Sequence, residues 1–169
     1  MVSTLAGSPV LQLLEDEFSQ EELAAALNVS QAAVSNWARG TRSPQPEYAD
    51  RLDRAIAATD AQADIVDAGL RRGPVRLPNA LWEPVFAPQG RFRLPLHLEW
   101  SGTAEQRWRR ADDLPSLLMA YVIVMTEGRV SDMIRWIDPK ILAAHMDEVI
   151  WPRGYEPVWR AALEEWGLL

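Results

Sequence analysis

Amide, hydroxyl and guanidinium side chains are concentrated in one short window of this sequence, from Gln31 to Arg42. Glutamine and asparagine can form paired hydrogen bonds with adenine, and arginine binds phosphate. No Asp or Glu occurs between Leu23 and Pro46, although the chain carries a net charge of −7. A carboxylate-free window on an acidic protein suits local contact with a polyanion. The side chains predicted to make this contact are Gln31, Ala32, Ser35, Asn36, Arg39, Thr41 and Arg42.

Other residue types that support chemistry are sparse or badly spaced. His97 and His145 are the only histidines and there is no cysteine, so we predict no metal site. The pairs Asp112–Asp113 and Glu164–Glu165 are sequence neighbours, which do not face each other on a helix. No phosphate-binding glycine loop and no Ser/His/Asp arrangement is present. We therefore predict no catalytic residues, no cofactor and no enzyme activity.

Composition places the chain among globular proteins. It has 169 residues, of which 48% are hydrophobic, enough for a real core. No apolar run approaches the 18 or so residues of a membrane helix, and the first ten residues do not resemble a secretory signal. We predict a cytoplasmic protein without membrane contact. Its acidic balance argues against general coating of nucleic acid, but not against a small local site.

The first half predicts a series of short helices. Ser19 and Glu22 form a capping box, and Ser30 caps a later helix. Asn28 stands where a helix must end in a left-handed conformation, which asparagine tolerates. The predicted helices begin near Pro9, Gln20, Gln31, Pro46 and Asp60, and the fifth extends to Leu70. Only three residues separate the helices Gln20–Leu27 and Gln31–Arg39, which forces tight, roughly perpendicular packing.

The stretch FSQEELAAALNVSQAAVSNWARGTRSP, within residues 8–70, resembles the Cro/cI-type, or lambda-repressor-like, helix-turn-helix family. This resemblance implies a five-helix DNA-binding domain. It also implies that Gln20 contacts phosphate, while Gln31, Ala32, Ser35 and Asn36 face bases. Two departures are Asn28, where the family usually has glycine, and Ala32, which replaces a longer polar residue. A contact with a thymine methyl group would substitute for hydrogen bonding at Ala32.

The second half has a different composition and predicts a separate domain. We place a helix-turn-helix domain at 1–72, a linker at 73–80 and a partner-binding or dimerisation domain at 81–169. Alternation from Phe92 to Trp100 predicts a half-buried strand, at an edge or bulged because of Pro95. Residues 81–90 are its predicted hairpin partner. Helices are predicted over about 113–127, after Ser131, after Asp138 and over about 156–166. The fold class is mainly α, with a C-terminal α+β domain containing a β-hairpin and about four helices.

Seven of the eight tryptophans lie in the second half, and either a core or an interface would account for them. Tryptophan is enriched at binding hot spots, so we predict a partner-binding surface. The predicted partner-binding residues are Trp100, Trp108, Trp136, Trp151 and Trp159. The arginines Arg107, Arg109 and Arg110 form a basic cluster that we predict to be a solvated loop, with nucleic acid or an acidic partner as the alternative.

Patchy motifs in this half, such as GRFRLPLHLEWS and VIWPRGYEPVW, are similar to helix-turn-helix antitoxins encoded beside AbiE-like nucleotidyltransferase toxins. The resulting hypothesis is a repressor that acts as a homodimer on a double-stranded DNA operator and binds a toxin through its second half. One alternative is a stand-alone or phage-derived repressor whose second half only dimerises. Others are a protein adaptor without DNA binding and an enzyme with a helix-turn-helix docking domain.

Overall fold

The computed structural model describes residues 8–169. Within this range the α-helices are α1 (Pro9–Asp16), α2 (Gln20–Leu27), α3 (Gln31–Ala38), α4 (Pro46–Ala57), α5 (Leu114–Glu127), α6 (Val130–Trp136), α7 (Pro139–Ala144) and α8 (Tyr155–Glu165). The strands are β1 (Ala63–Val66), β2 (Val75–Pro78), β3 (Arg91–Phe92) and β4 (Arg109–Arg110). They form two antiparallel pairs, β1 with β2 and β3 with β4. The predicted fold class, mainly α with a C-terminal α+β region, is confirmed.

Local capping chemistry defines the helix pair α2–α3, as the sequence predicted. The Ser19 hydroxyl accepts from the Glu22 N–H at 3.1 Å, and the Glu22 carboxylate accepts from the Ser19 N–H at 3.0 Å. The Ser30 hydroxyl accepts from the Ala33 N–H at 3.1 Å. Between the helices Asn28 adopts φ = 57°, the left-handed conformation. These caps satisfy backbone groups that the short helices leave unpaired.

The predicted fifth helix, Asp60–Leu70, is wrong. Residues 60–62 form a single 3₁₀ turn, and the chain then enters β1, which pairs with β2 in register Val66 to Val75. Gly69 and Gly73 both have positive φ and allow the chain to reverse. The predicted linker 73–80 is likewise not an irregular connector, because it contains β2, where Val75 and Leu77 are buried. The division into two domains stays a prediction.

The predicted strand over Phe92–Trp100 is also wrong. Only its first residue lies in a strand, and β3 pairs with β4 rather than with residues 81–90, which contain no strand. The chain turns at Pro95, whose carbonyl accepts from the Leu98 N–H at 3.0 Å. Proline cannot donate to a sheet, and here it begins a turn. The alternation fails with it, because Leu96 and Trp100 are exposed.

The C-terminal helices follow the predicted signals with one exception. Asp113 precedes α5, and Asp138 caps α7 by accepting from the N–H groups of Lys140 and Ile141. Ser131 does not cap α6 but lies inside it, where its hydroxyl donates to Asp60 at 3.1 Å. Asp132 takes the capping role, accepting from the Arg129 N–H at 2.9 Å.

One continuous hydrophobic cluster runs through both halves of the chain. At its centre Trp136 packs against Phe18, Phe86 and Phe92, with ring centroids 6.2, 4.9 and 6.0 Å away. Phe18 lies just after α1, whereas the other three rings belong to the second half. Through Phe18, the first four helices therefore pack against the second half of the chain. No helix within residues 8–169 combines the length and apolar character needed to cross a membrane.

Candidate nucleic-acid interface

The outer face of α3 is open to solvent. Gln31, Ala32 and Arg39 are exposed, as are Thr41 and Arg42 just beyond the helix, while Ser35 and Asn36 are partly buried. On the opposite face Val34 is fully buried, and the Trp37 ring lies 5.6 Å from that of Tyr48. The structure thus brings together the side chains that were predicted to face a polyanion and orients the helix with that face outward.

Asn36 organises the end of α3. Its side-chain oxygen accepts from Arg39 Nη2 at 2.9 Å and from the Thr41 hydroxyl at 3.3 Å. Its backbone carbonyl accepts from the N–H of Thr41 at 3.0 Å, past the positive φ of Gly40. The Thr41 hydroxyl has a single proton and lies closer to the Asn36 backbone carbonyl, at 3.1 Å, so only the bond from Arg39 commits a lone pair of the side-chain oxygen. The amide N–H₂ group is left to donate outward.

The charged side chains of α3 and of the residues just beyond it are Arg39 and Arg42. Arg39 and Arg42 form no salt bridge with any acidic group in residues 8–169, and the preceding carboxylate, Glu22, is neutralised by Arg93 at 2.8 Å. The two guanidinium groups are therefore available to an anion, for which arginine geometry is well suited. Gln20 is the first residue of α2, where backbone N–H groups and the helix dipole favour an adjacent phosphate.

The second half reaches this face at one place. A shallow cleft of about 240 Å³ is lined by Ala24, Val29 and Gln31 from the helix pair and by Arg91 and Trp108 from β3 and the residue before β4. Arg91 lies just before the strand that was predicted over Phe92–Trp100, and no sequence argument connected it with α3. No local pattern could have shown this, because 60 sequence positions separate Gln31 from Arg91.

Asn28 holds the loop before β3 close to the turn between α2 and α3. Its side-chain N–H₂ donates to the Ala87 carbonyl at 2.7 Å, and its side-chain oxygen accepts from the Gln89 N–H at 2.8 Å. The residue was predicted only to tolerate a left-handed backbone. The structure gives its side chain a second role that glycine could not perform: it joins the turn of the helix pair to the loop before β3.

The five tryptophans predicted to bind a partner have different environments. Trp136 and Trp159 are 3% and 0% exposed, so that prediction is wrong for both, and they belong to the core. Trp151 is partly buried and donates to the Met146 carbonyl at 3.0 Å. Trp108 lies beneath arginine side chains, and Trp100 is 78% exposed. Tryptophan content alone could not distinguish these roles.

The basic cluster Arg107, Arg109 and Arg110 is not a uniformly solvated loop. Arg107 is buried and donates to the Glu99 carbonyl, and Arg109 pairs with the Glu99 carboxylate. Only Arg110 is exposed, and it pairs with Asp112. Two of the three arginines therefore hold the segment together rather than offering free charge.

Glu17, His97 and Asp132 form the one group of potential metal ligands within residues 8–169. Each carboxylate already has cationic or N–H partners: Glu17 pairs with Arg135 at 2.6 Å, and Asp132 bonds His97 Nε2 at 3.0 Å and the Arg129 N–H. The hydrogen bond to Asp132 raises the pKa of His97 against the opposing effect of burial. Arg135 and, when it is protonated, His97 supply the positive charges that pair with the two carboxylates in this ion-pair network.

Comparison with known proteins finds a similarity that falls on the first four helices. A helix-turn-helix family model matches residues 12–59, which include most of α1 and all of α2, α3 and α4. No curated protein and no solved structure matches the chain. The match at residues 12–59 supports the assignment of the protein to the class of DNA-binding helix-turn-helix transcription regulators.

Proposed function

We propose that the protein is a sequence-specific transcriptional repressor that inserts α3 into the major groove of its operator. The carboxylate-free outer face of α3, open to solvent and bounded by Arg39 and Arg42, carries this proposal. In this proposal Gln31 and Ser35 contact base edges, and Ala32 makes a methyl contact with thymine. Gln20, Thr41 and Arg42 contact phosphates and so fix the register on the duplex.

The protein acts as a homodimer on paired half-sites in this proposal. Arg39 and Arg42 are the only two cations on the reading surface, so one copy would release few counterions and bind weakly. Two copies related by a two-fold axis double the contacts and match a palindromic operator. The salt dependence of binding should therefore be modest for one half-site and steeper for two.

The second half is proposed to bind a protein partner through the exposed apolar side chains Leu96 and Trp100, which are 60% and 78% exposed. An exposed tryptophan is a typical binding hot spot. In the antitoxin version of the proposal, the partner is a toxin encoded by a neighbouring gene, and the repressor controls its own operon. In the alternative, the same surface serves only to dimerise the protein.

Selection of binding sites from a random duplex library tests DNA recognition. We expect the full chain to enrich one motif, and Gln31→Ala and Arg42→Ala each to weaken binding to it at least fivefold, about the loss of one hydrogen bond. Arg153→Ala is the matched control, because Arg153 is exposed and lines a cavity to which no residue of α3 contributes. Absence of enrichment, or equal effects of all three variants, would overturn the repressor proposal and favour an adaptor.

Light scattering after size exclusion tests the partner surface. The molar masses of the wild type and of Trp100→Ser, each measured with and without the neighbouring gene product, distinguish the antitoxin version from the dimerisation version. Loss of a heteromeric complex while the dimer persists supports the antitoxin version. A dimer indifferent to that product defeats it, and a monomeric Trp100→Ser variant assigns the surface to dimerisation.

A further inference from the structure

A basic segment of this acidic protein lies outside the helix-turn-helix, between residues 91 and 110. Residues 91–110 contain five arginines and two glutamates, a formal charge of +3, whereas the whole chain carries −7. Arg107 and Arg109 are committed to Glu99, and Arg110 to Asp112. The two remaining arginines of this segment are Arg91 and Arg93.

Both side chains lie on one aromatic ring. The guanidinium carbons of Arg91 and Arg93 are 4.6 and 4.7 Å from the centroid of Trp108, within cation–π range. Arg93 is further anchored by Glu22 at 2.8 Å and by the Ala104 carbonyl at 3.1 Å, and its side chain is 12% exposed. Its charge is thus balanced by a nearly buried carboxylate, which leaves Arg91 as the arginine of this pair that is open to solvent.

Arg91 differs from Arg93 in being open to solvent. Its side chain is 56% exposed, and its one acidic partner, Glu105, lies at 3.2 Å and is 83% exposed. Such an exposed pair contributes little, because water screens it and two mobile side chains must be ordered. An incoming phosphate could therefore replace Glu105 at small cost, while Trp108 keeps the guanidinium in place.

The position of Arg91 relative to α3 is fixed by the fold. Arg91 and Trp108 share a cleft with Gln31, the first residue of α3, and β3 packs against α2. Asn28 binds Ala87 and Gln89, so the chain leading to Arg91 is tied to the turn before α3. Glu21 also lines the cleft, and its negative charge repels a phosphate there. Phosphate binding in the cleft therefore depends on Arg91 being held in position.

We propose that Arg91, held on Trp108, is a phosphate-binding residue that contacts the DNA backbone beside the reading face of α3. The second half of the protein is then part of the DNA interface. This inference rests on the proposed DNA-binding function and adds a contact that lies outside the helix-turn-helix segment. Trp108 acts as a positioning residue for Arg91 rather than as a partner-binding residue.

Fluorescence anisotropy of the full chain with a labelled, non-specific 30-base-pair duplex tests the inference, because phosphate contacts are independent of sequence. For Arg91→Ala we expect about tenfold weaker binding at low salt, the loss of one charge-assisted hydrogen bond, and a salt slope reduced by about 0.9. Glu105→Gln, which removes the competing carboxylate, should tighten binding about twofold to fivefold. Arg153→Ala removes the same charge elsewhere and should change binding less than twofold.

The outcomes separate this inference from the proposed function. If the wild type binds duplex DNA but Arg91→Ala equals Arg153→Ala, the contact is overturned and the repressor proposal stands. If the wild type binds no duplex while remaining folded, the repressor proposal fails, and this inference fails with it. Should thermal melting show Arg91→Ala to be misfolded, Glu105→Gln decides, because that side chain is 83% exposed: unchanged binding overturns the proposed exchange.

Discussion

Arg135 offers a strong test of how the two halves are joined. This α6 residue is 7% exposed, and its Nε donates to the Ala55 carbonyl in α4 at 2.9 Å. Its Nη1 donates to the Glu17 carboxylate, just after α1, at 2.6 Å. One side chain from the second half thus satisfies two acceptors in the first. Replacement by methionine keeps most of the volume but removes both hydrogen bonds.

The expected cost follows from burial. Removing one partner of a buried ion pair typically destabilises a protein by about 3–5 kcal/mol. Glu17 is 25% exposed, so water can partly solvate its carboxylate, and the low end, about 3 kcal/mol, is appropriate here. For a chain of this size that corresponds to a fall in Tm of roughly 6–12 °C.

Urea unfolding followed by tryptophan fluorescence and by circular dichroism measures this change. We expect Arg135→Met to lower the midpoint in one cooperative transition by both probes, because the core is continuous. The double variant Arg135→Met/Glu17→Leu should recover part of the loss, since no unpaired carboxylate remains. Arg153→Met is the exposed control. A loss under about 1 kcal/mol, or two separate transitions, would refute the view that this residue couples the halves.

Three further perturbations test other contacts. Asn28→Gly keeps the left-handed backbone but removes the bonds to Ala87 and Gln89; we expect a loss of about 1–2 kcal/mol in urea unfolding, and wild-type stability would show that these bonds contribute nothing. The pKa of His97 is raised above its ordinary 6.5 by the hydrogen bond to Asp132, so the stability it contributes is complete below pH 6.5 and is lost as pH rises through the higher folded value. Between pH 6 and 8.5 the wild type should therefore lose stability relative to His97→Gln, and parallel urea midpoints across that range would contradict this. Trp159→Phe should cost only its lost packing, about 1–2 kcal/mol, because the indole N–H has no hydrogen-bond partner within residues 8–169; a loss above about 4 kcal/mol in thermal melting would reveal a polar role for it.

The sequence predicted well those features that neighbouring residues determine. Ser19 with Glu22, Asn28 and Ser30 act within one helical turn, so their roles are visible in the residue types. The predicted helix Asp60–Leu70 was wrong because residues 63–66 form β1, which pairs with β2. That partner strand lies beyond Gly69 and Gly73, and the helical spacing of apolar residues gives no indication of it.

Contacts between distant segments account for the remaining errors. Apolar and polar residues do alternate from Phe92 to Trp100, but the chain turns at Pro95 and does not continue as a strand. The partner of β3 is β4, which lies further along the chain. Trp136 could not be distinguished from Trp100 by composition, because its burial depends on Phe18, Phe86 and Phe92. The placement of Arg91 beside Gln31 likewise depends on tertiary packing alone.

The aromatic contacts around Trp136 limit how this regulator can be recombined. The recognised family segment ends at residue 59, but the surface that completes its core is encoded beyond residue 85. A chimaera that exchanged only the N-terminal helices would remove Phe18 from its contacts with Phe86 and Trp136 and leave Arg135 facing foreign acceptors. Under the proposed function, changing the outward residues of α3 is therefore a better way to alter DNA preference than swapping whole segments.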